Sequence, residues 1–214
     1  MKLLIAIPTY DYIHFQFVKC LTRLLKRLDN DGIDYEIALQ GGTLVYVGRD
    51  RLTKKAIEGG FSHVLWLDSD MIFTEDLLED LMFSGKGFVT GIAHSRRPPH
   101  VSCLFRQIWP VVDRWDGNEY PSGPFKVGGC GFGCVLIKTD IMKAVFDKHG
   151  TAFFPMRELG EDLAFCKRAT DLKFEIWAEP SVRLGHIGHI TIYPEYEDTY
   201  RNGLTGVEEV LKHG

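Results

Sequence analysis

The run His63-Val64-Leu65-Trp66-Leu67 ends directly on Asp68-Ser69-Asp70. So short and apolar a run predicts a strand covered on both faces. Leu3 to Ile7, stopped by Pro8, repeats the pattern, and Phe88 to Ile92 predicts another strand. Ile33 to Leu39, Cys134 to Lys138 and Phe174 to Trp177 predict further strands, and Leu44 to Val47 is a short candidate. Helical patterns lie between them. Ile13 to Leu28 carries Phe17, Leu21, Leu24, Leu25 and Leu28 on one side, and Arg49 to Glu58 ends at Gly59-Gly60. Thr74 can cap a helix that buries Leu77, Leu78, Leu81 and Met82, Thr139 can cap one from Asp140, and Glu161 to Ala169 forms another. Strands alternating with helices predict an α/β fold, a Rossmann-type mixed, mostly parallel sheet flanked by helices. In such sheets ligands bind beyond the carboxyl ends of the strands, which is where Asp68 and Asp70 stand.

A length of 214 residues suits a single domain, and 45% hydrophobic with 25% charged residues is an ordinary globular balance. A net charge of −4 without a long Lys/Arg block gives no reason to expect general nucleic-acid binding. The apolar start is too short to span a bilayer and lacks a signal-peptide pattern, so no transmembrane segment is expected. Five cysteines, odd in number and without a CxxC pair, read as reduced thiols of a cytoplasmic protein. Between Pro98 and Gly128 the pattern changes to an antiparallel or loop-rich insertion. A hairpin is expected there around Asp116-Gly117-Asn118, flanked by Val111 to Trp115 and Tyr120. Trp109, Trp115, Tyr120 and Phe125 suit either a sugar platform or core packing. The tail from Tyr193 is rich in charge and tyrosine.

Two carboxylates at the end of a buried strand lose hydration and repel each other, and a divalent cation resolves both problems. Hard oxygen ligands suit Mg²⁺ or Mn²⁺. Without a cation, the pair would cap the next helix or face water. His186 and His189 offer a third ligand; one histidine fits Mn²⁺, whereas two would favour zinc. Gly160-Glu161-Asp162 opens a helix whose N-terminal field favours carboxylates, so capping is one role. A general base is the other, with Asp162 or Glu161 deprotonating a hydroxyl. Gly128-Gly129-Cys130-Gly131-Phe132-Gly133 lacks the ending of a phosphate-binding Walker loop. It suits close approach of a substrate or a tight turn. Arg49 or Arg51 could pair with a diphosphate or hold Asp68. His94, Arg96 and Arg97 could line the same cleft.

Ile5-Ala6-Ile7-Pro8-Thr9-Tyr10, Val47-Gly48-Arg49-Asp50-Arg51, Trp66-Leu67-Asp68-Ser69-Asp70, the glycines 128–133, Gly160-Glu161-Asp162 and the terminal histidines occur in an order that resembles the GT-A glycosyltransferases, especially their family-2-like group. The resemblance implies a GT-A-like fold. It also implies a division into a nucleotide-sugar-binding half (1–97), an acceptor and catalytic half (98–192) and a C-terminal tail (193–214). By the same resemblance Pro8, Thr9 and Tyr10 sit near the base or ribose, and Arg49 or Arg51 near the nucleotide and the first acid. Asp68, with Ser69, approaches the ribose or metal, and Asp70 is the firmer metal ligand. Asp162, beside Glu161, is the base of an inverting enzyme, and His186 or His189 completes metal or diphosphate binding. The Gln-x-x-Arg-Trp signature of processive synthases is absent, which argues against a membrane-bound polymerase.

The expected activity is therefore Mn²⁺- or Mg²⁺-dependent transfer of a sugar from a nucleotide diphosphate sugar to an acceptor hydroxyl, such as that of a carbohydrate. A sugar-phosphate nucleotidyltransferase, a noncatalytic nucleotide-sugar or carbohydrate-binding module, and a metal hydrolase are the competing readings.

Overall fold

The computed structural model describes residues 1–10, 12–97, 99–115 and 120–188. His189, the turn 116–118 and the tail 193–214 lie outside the described residues.

Three strands begin the fold: β1 (Lys2–Pro8), β2 (Asp34–Gln40) and β3 (His63–Leu67). Helices α1 (Phe15–Asn30) and α2 (Val45–Glu58) connect them. A two-residue strand β4 (Met71–Ile72) follows the acids, then α3 (Leu77–Phe83) and β5 (Phe88–Ile92). The insertion supplies β6 (Leu104–Gln107), β7 (Asp113–Arg114), β8 (Phe125–Val127) and β9 (Gly129–Cys130). The chain returns through β10 (Cys134–Lys138), α4 (Thr139–His149), α5 (Glu161–Asp171), β11 (Ile176–Arg183) and β12 (Gly185–His186).

Among the described residues the main sheet has seven strands in the order β2-β1-β3-β10-β5-β11-β8. β1 is parallel to β2 and β3, and β11 is parallel to β5. β10 runs antiparallel between β3 and β5, and β8 is antiparallel at the edge. The sheet is thus mixed and mostly parallel, with helices on both faces. Period-2 alternation divides the strands between two cores. Leu4, Ala6, Val64 and Trp66 pack toward α2, α4 and α5. Leu3, Ile5, Ile7, Leu65 and Leu67 pack toward α1 and α3. Pro8, Leu67, Ile92 and Arg183 end co-directional strands at one edge of the sheet.

Several expected elements differ. Leu44 to Val47 is not a strand: α2 begins at Val45, and Gly48, Arg49, Leu52, Thr53 and Ala56 form its buried side. Buried Arg49 completes a helical period that a hydrophobic pattern alone misses. Thr74 does not cap α3, which starts three residues later behind Asp76 without a side-chain cap. Thr139 is the first helical residue of α4 rather than its cap. In the insertion β6 pairs with β7 and β9, so the observed hairpin joins 104–107 to 113–114. Gly128 is required by packing there: a Cβ would lie 2.6 Å from the Arg106 carbonyl oxygen.

Candidate active site

Two clefts open at the strand-end edge and share Arg96 and His186 as a common wall. The first, of about 430 Å³, is lined by Pro8, Thr9, Tyr10, Asp68, Ser69 and Asp70 among others. The Ser69 hydroxyl donates to Thr9 Oγ1 at 3.3 Å, and Thr9 Oγ1 donates to the Tyr12 carbonyl at 2.9 Å, which ties the end of β1 to the turn after β3. Tyr10 is 74% exposed and available to a flat ligand.

Asp70 is held by its neighbours. The backbone of β12 pairs with β4, and the Ile187 amide donates to the Asp70 carbonyl at 2.9 Å. This brings His186 Nε2 to 3.5 Å from Asp70 Oδ2. His186 Nδ1 donates to the His94 carbonyl at 2.9 Å, which leaves Nε2 as the ring atom facing Asp70. Arg96 Nη1 bonds the same Asp70 Oδ2. Burial alone would raise the Asp70 carboxyl, but His186 and Arg96 hold it below the usual carboxylate range. The bond to Asp70 raises His186 in turn, helped by the His94 carbonyl and opposed by burial.

Asp68 follows β3 and donates its amide to the Gly133 carbonyl at 2.9 Å. Its Oδ1 accepts from Arg49 Nη2 at 3.0 Å. Burial pushes the Asp68 carboxyl up to about 6; Asp162 and Asp70 add to this, whereas Arg49 and His186 oppose it.

The second cleft, of about 390 Å³, is lined by Glu161, Asp162, Gly131, Arg97 and Arg114 among others. Asp162 stands in the first turn of α5, and its Oδ2 accepts from the Phe132 amide at 3.1 Å. Its Oδ1 is buried and lies 3.5 Å from Arg49 Nη2. Glu161 is raised by burial and by Asp162. Cys103 also lines this cleft, and burial pushes its thiol up to about 11, so it is a poor nucleophile.

Arg49 therefore contacts one carboxylate from each cleft without lining either, since it is only 1% exposed. Its guanidinium sits among Trp66, Phe132 and Phe153, 5.4 to 5.7 Å from each ring centroid. Nε and Nη1 have no hydrogen-bond partner among the described residues, and the ring faces take their positive edge. Burial pulls the Arg49 pKa down, but Asp68, Asp162 and Glu161 more than offset it, so the group stays charged.

The structure brings together Pro8, Thr9, Tyr10, Asp68, Ser69, Asp70 and His186, with Glu161 and Asp162 in the adjoining cleft. It does not bring in Arg51, which lines a separate cleft with Lys2, Glu36 and Lys55. Arg49 is likewise sealed from a diphosphate and reaches Asp68 from below. Two contributors escaped the sequence reading. Asp50 Oδ1 accepts the Ala152 and Phe153 amides at 2.9 and 2.8 Å, fixing one wall of the Arg49 box. The His94 carbonyl orients His186, a backbone role that no side-chain pattern reveals. Tyr120 stacks on Trp115 and on Phe125, which meet each other at a tilt, and Trp109 lies in another cleft beside Arg157, so these aromatics form no common platform.

Among the described residues no three His, Cys, Asp or Glu side chains converge as a metal cluster. The donor set still fits a divalent cation that keeps substrate and water oxygens: Asp70 Oδ2 and His186 Nε2 converge, and the histidine tautomer is fixed. No helix among the described residues is long and apolar enough to cross a membrane.

No protein-family model matches the sequence. A curated relative, mannan polymerase complex subunit MNN9 of Candida albicans, is 22% identical over 203 residues, covering 76% of this chain and 54% of that protein. The chain thus spans about half the length of this relative. Among solved structures, A197 from STIV superposes with a TM-score of 0.61 at 21% identity, over 88% of this chain and 87% of that one. GalNAc-T7 with UDP, GalNAc and Mn²⁺ gives 0.54 at 9% identity, over 88% and 44%. The catalytic domain of Drosophila β1,4-galactosyltransferase 7 with xylobiose gives 0.53 at 13% identity, over 92% and 78%. The fold is that of the GT-A glycosyltransferases; the similarity does not single out the family-2-like group.

Proposed function

We propose that this chain transfers a sugar from a nucleotide diphosphate sugar to an acceptor hydroxyl, with Mn²⁺ or Mg²⁺ at Asp70 and His186. The observation that carries the reading is the pairing of two clefts across one buried arginine, with Asp68 on one side and Asp162 on the other. Pro8, Thr9, Tyr10 and Ser69 hold the nucleoside end in the first cleft, which residues 1–97 mostly build. The acceptor enters the second, which residues of the 98–192 half line together with Ser95, Arg96 and Arg97. A bound cation would offset charge on the departing nucleotide diphosphate.

Asp162 acts as general base. Its Oδ1 is buried against Arg49, which leaves Oδ2 to take the acceptor proton. The acceptor oxygen then bonds the anomeric carbon as the bond to the phosphate oxygen breaks, and that electron pair leaves with the nucleotide diphosphate. Attack from the face opposite the leaving group inverts the anomeric centre. Glu161 flanks the acceptor. The five free thiols suit a reducing, cytoplasmic setting.

Asp162→Asn should lower turnover by about 10² to 10⁴ while nucleotide binding persists. Asp70→Asn should abolish metal-dependent nucleotide binding. Product analysis on a panel of nucleotide sugars and acceptors checks both, and NMR of the product reads the anomeric outcome. Full turnover by Asp162→Asn removes the base assignment. Release of pyrophosphate from a nucleoside triphosphate and a sugar phosphate would instead identify a nucleotidyltransferase.

A further inference from the structure

We propose that the cleft beside Asp162 takes an acceptor bearing an anionic group, a phosphate or a carboxylate, received by Arg97 and Arg114. The inference rests on the glycosyl-transfer reading, in which this cleft is the acceptor side. Its lining carries both signs of charge: Glu161 and Asp162 are its acids, and Arg96, Arg97 and Arg114 its arginines. Arg96 is already engaged by Asp70. Arg97 and Arg114 have no carboxylate within ion-pair distance among the described residues.

Arg114 is braced for binding. Its Nη1 donates to the Ser102 carbonyl at 2.9 Å, and its guanidinium lies 4.7 Å from the Phe105 ring centroid. Among the described residues the rest of the planar fork has no hydrogen-bond partner and can grip a carboxylate or phosphate with two N–H groups. A neutral sugar needs hydrogen bonds from such a wall but does not need two uncompensated cations. The charges also orient the acceptor: Glu161 and Asp162 repel the anionic group, the arginines attract it, and the hydroxyl end is left to Asp162. Neither Arg97 nor Arg114 lines the cleft that holds Asp68 and Asp70, whereas Arg96 and His186 line both, so the two free arginines are placed for the acceptor rather than the diphosphate.

The test is a titration of the isotope-labelled full chain with glucose 6-phosphate, glucuronate and glucose, followed by NMR at the Gly131, Gly160 and Leu163 amides. At least one anionic sugar should bind about tenfold tighter than glucose, and Arg114→Gln and Arg97→Gln should each remove about that factor. Arg114→Lys should restore part of it. Preference for glucose 6-phosphate assigns a phosphate acceptor, and preference for glucuronate a carboxylate. Where Arg114→Gln fails to fold by circular dichroism, Arg97→Gln carries the test. Equal binding of all three sugars, absence of binding, or anion binding untouched by the folded variants overturns the proposal. A parallel titration with Mg²⁺ and UDP or GDP separates the two readings. Arg114→Gln weakening the nucleotide instead of the sugar anion assigns the arginines to the donor and overturns the inference. Nucleotide binding that is absent, or indifferent to Asp70→Asn, removes the glycosyl-transfer reading and with it the acceptor assignment.

Discussion

Asp70 Oδ2 is contested. Arg96 bonds it, His186 Nε2 approaches it at 3.5 Å, and a catalytic cation would need it. Truncating the arginine should therefore tighten metal binding in the absence of nucleotide. Arg96→Ala is expected to lower the Mn²⁺ dissociation constant by about tenfold, the scale of one charge-assisted contact. Calorimetric titration checks this, and weaker binding by the variant would show that Arg96 supports the cation instead. Acidity sets a second limit. Burial pushes the Asp68 carboxyl up to about 6, and Asp70 raises His186 above its ordinary value. As pH falls Asp68 loses its charge and His186 takes a proton on Nε2, the nitrogen that would bind metal. The His186 proton must leave before a cation binds there, and a charged Asp68 adds to the attraction. Affinity for Mn²⁺ should thus fall as pH drops from 7 to 5, and Asp68→Asn should flatten part of that slope in the same calorimetric series. A variant with the wild-type slope would remove Asp68 from the metal environment.

At the level of elements, α2 shows what the sequence reveals and what it hides. The strands covered on both faces were readable as short, largely apolar segments, and His63–Leu67, Phe88–Ile92 and Cys134–Lys138 are strands as that reading expects. The acids at the end of β3 were readable because a charge that terminates a buried strand has few other places to go. The start of α2 was not: Val45 and Val47 have strand preference, and Arg49 breaks the apolar period although it is buried. A charged residue at a core position is legible only once its partners are known, and those partners, Asp68 and Asp162, are remote in sequence. Asp50 is equally opaque, since its partners lie about a hundred residues away. It joins α2 to the segment before α5 by accepting two backbone amides and the Thr151 hydroxyl. Asp50→Ala should cost about 1–3 kcal/mol by leaving those donors unpaired. Urea unfolding with an unchanged m-value measures it, and a loss below about 0.5 kcal/mol would mean that water replaces the carboxylate.

Across the whole molecule, the mixed sheet sets the β3 turn, the β9–β10 turn and the start of α5 around one buried guanidinium, so neither cleft is independent of the other. Arg96 extends this dependence to the surface, because it belongs to both clefts while bonded to Asp70 in one of them. A cation that takes Asp70 would release Arg96, whose guanidinium could then turn to the second cleft, the one proposed for the acceptor, which Arg97 and Arg114 also line. Metal and anionic acceptor should then bind with positive cooperativity. Linkage requires the effect to be reciprocal: Mg²⁺ strengthens the binding of an anionic sugar, and the sugar strengthens the binding of Mg²⁺ by the same factor. A factor of about five is expected, at the low end of such couplings because Arg96 is partly solvated and its charge is screened. The field of the cation itself also favours an anion nearby, so wild type alone cannot assign the coupling to Arg96. Arg96→Ala separates the two contributions, since it keeps the ion and removes the moving charge. Glucose 6-phosphate titrated with and without saturating Mg²⁺, into wild type and Arg96→Ala, completes the cycle. Loss of most of the coupling in the variant identifies Arg96 as the link, whereas full retention assigns the coupling to the ion's field and leaves Arg96 as a static wall.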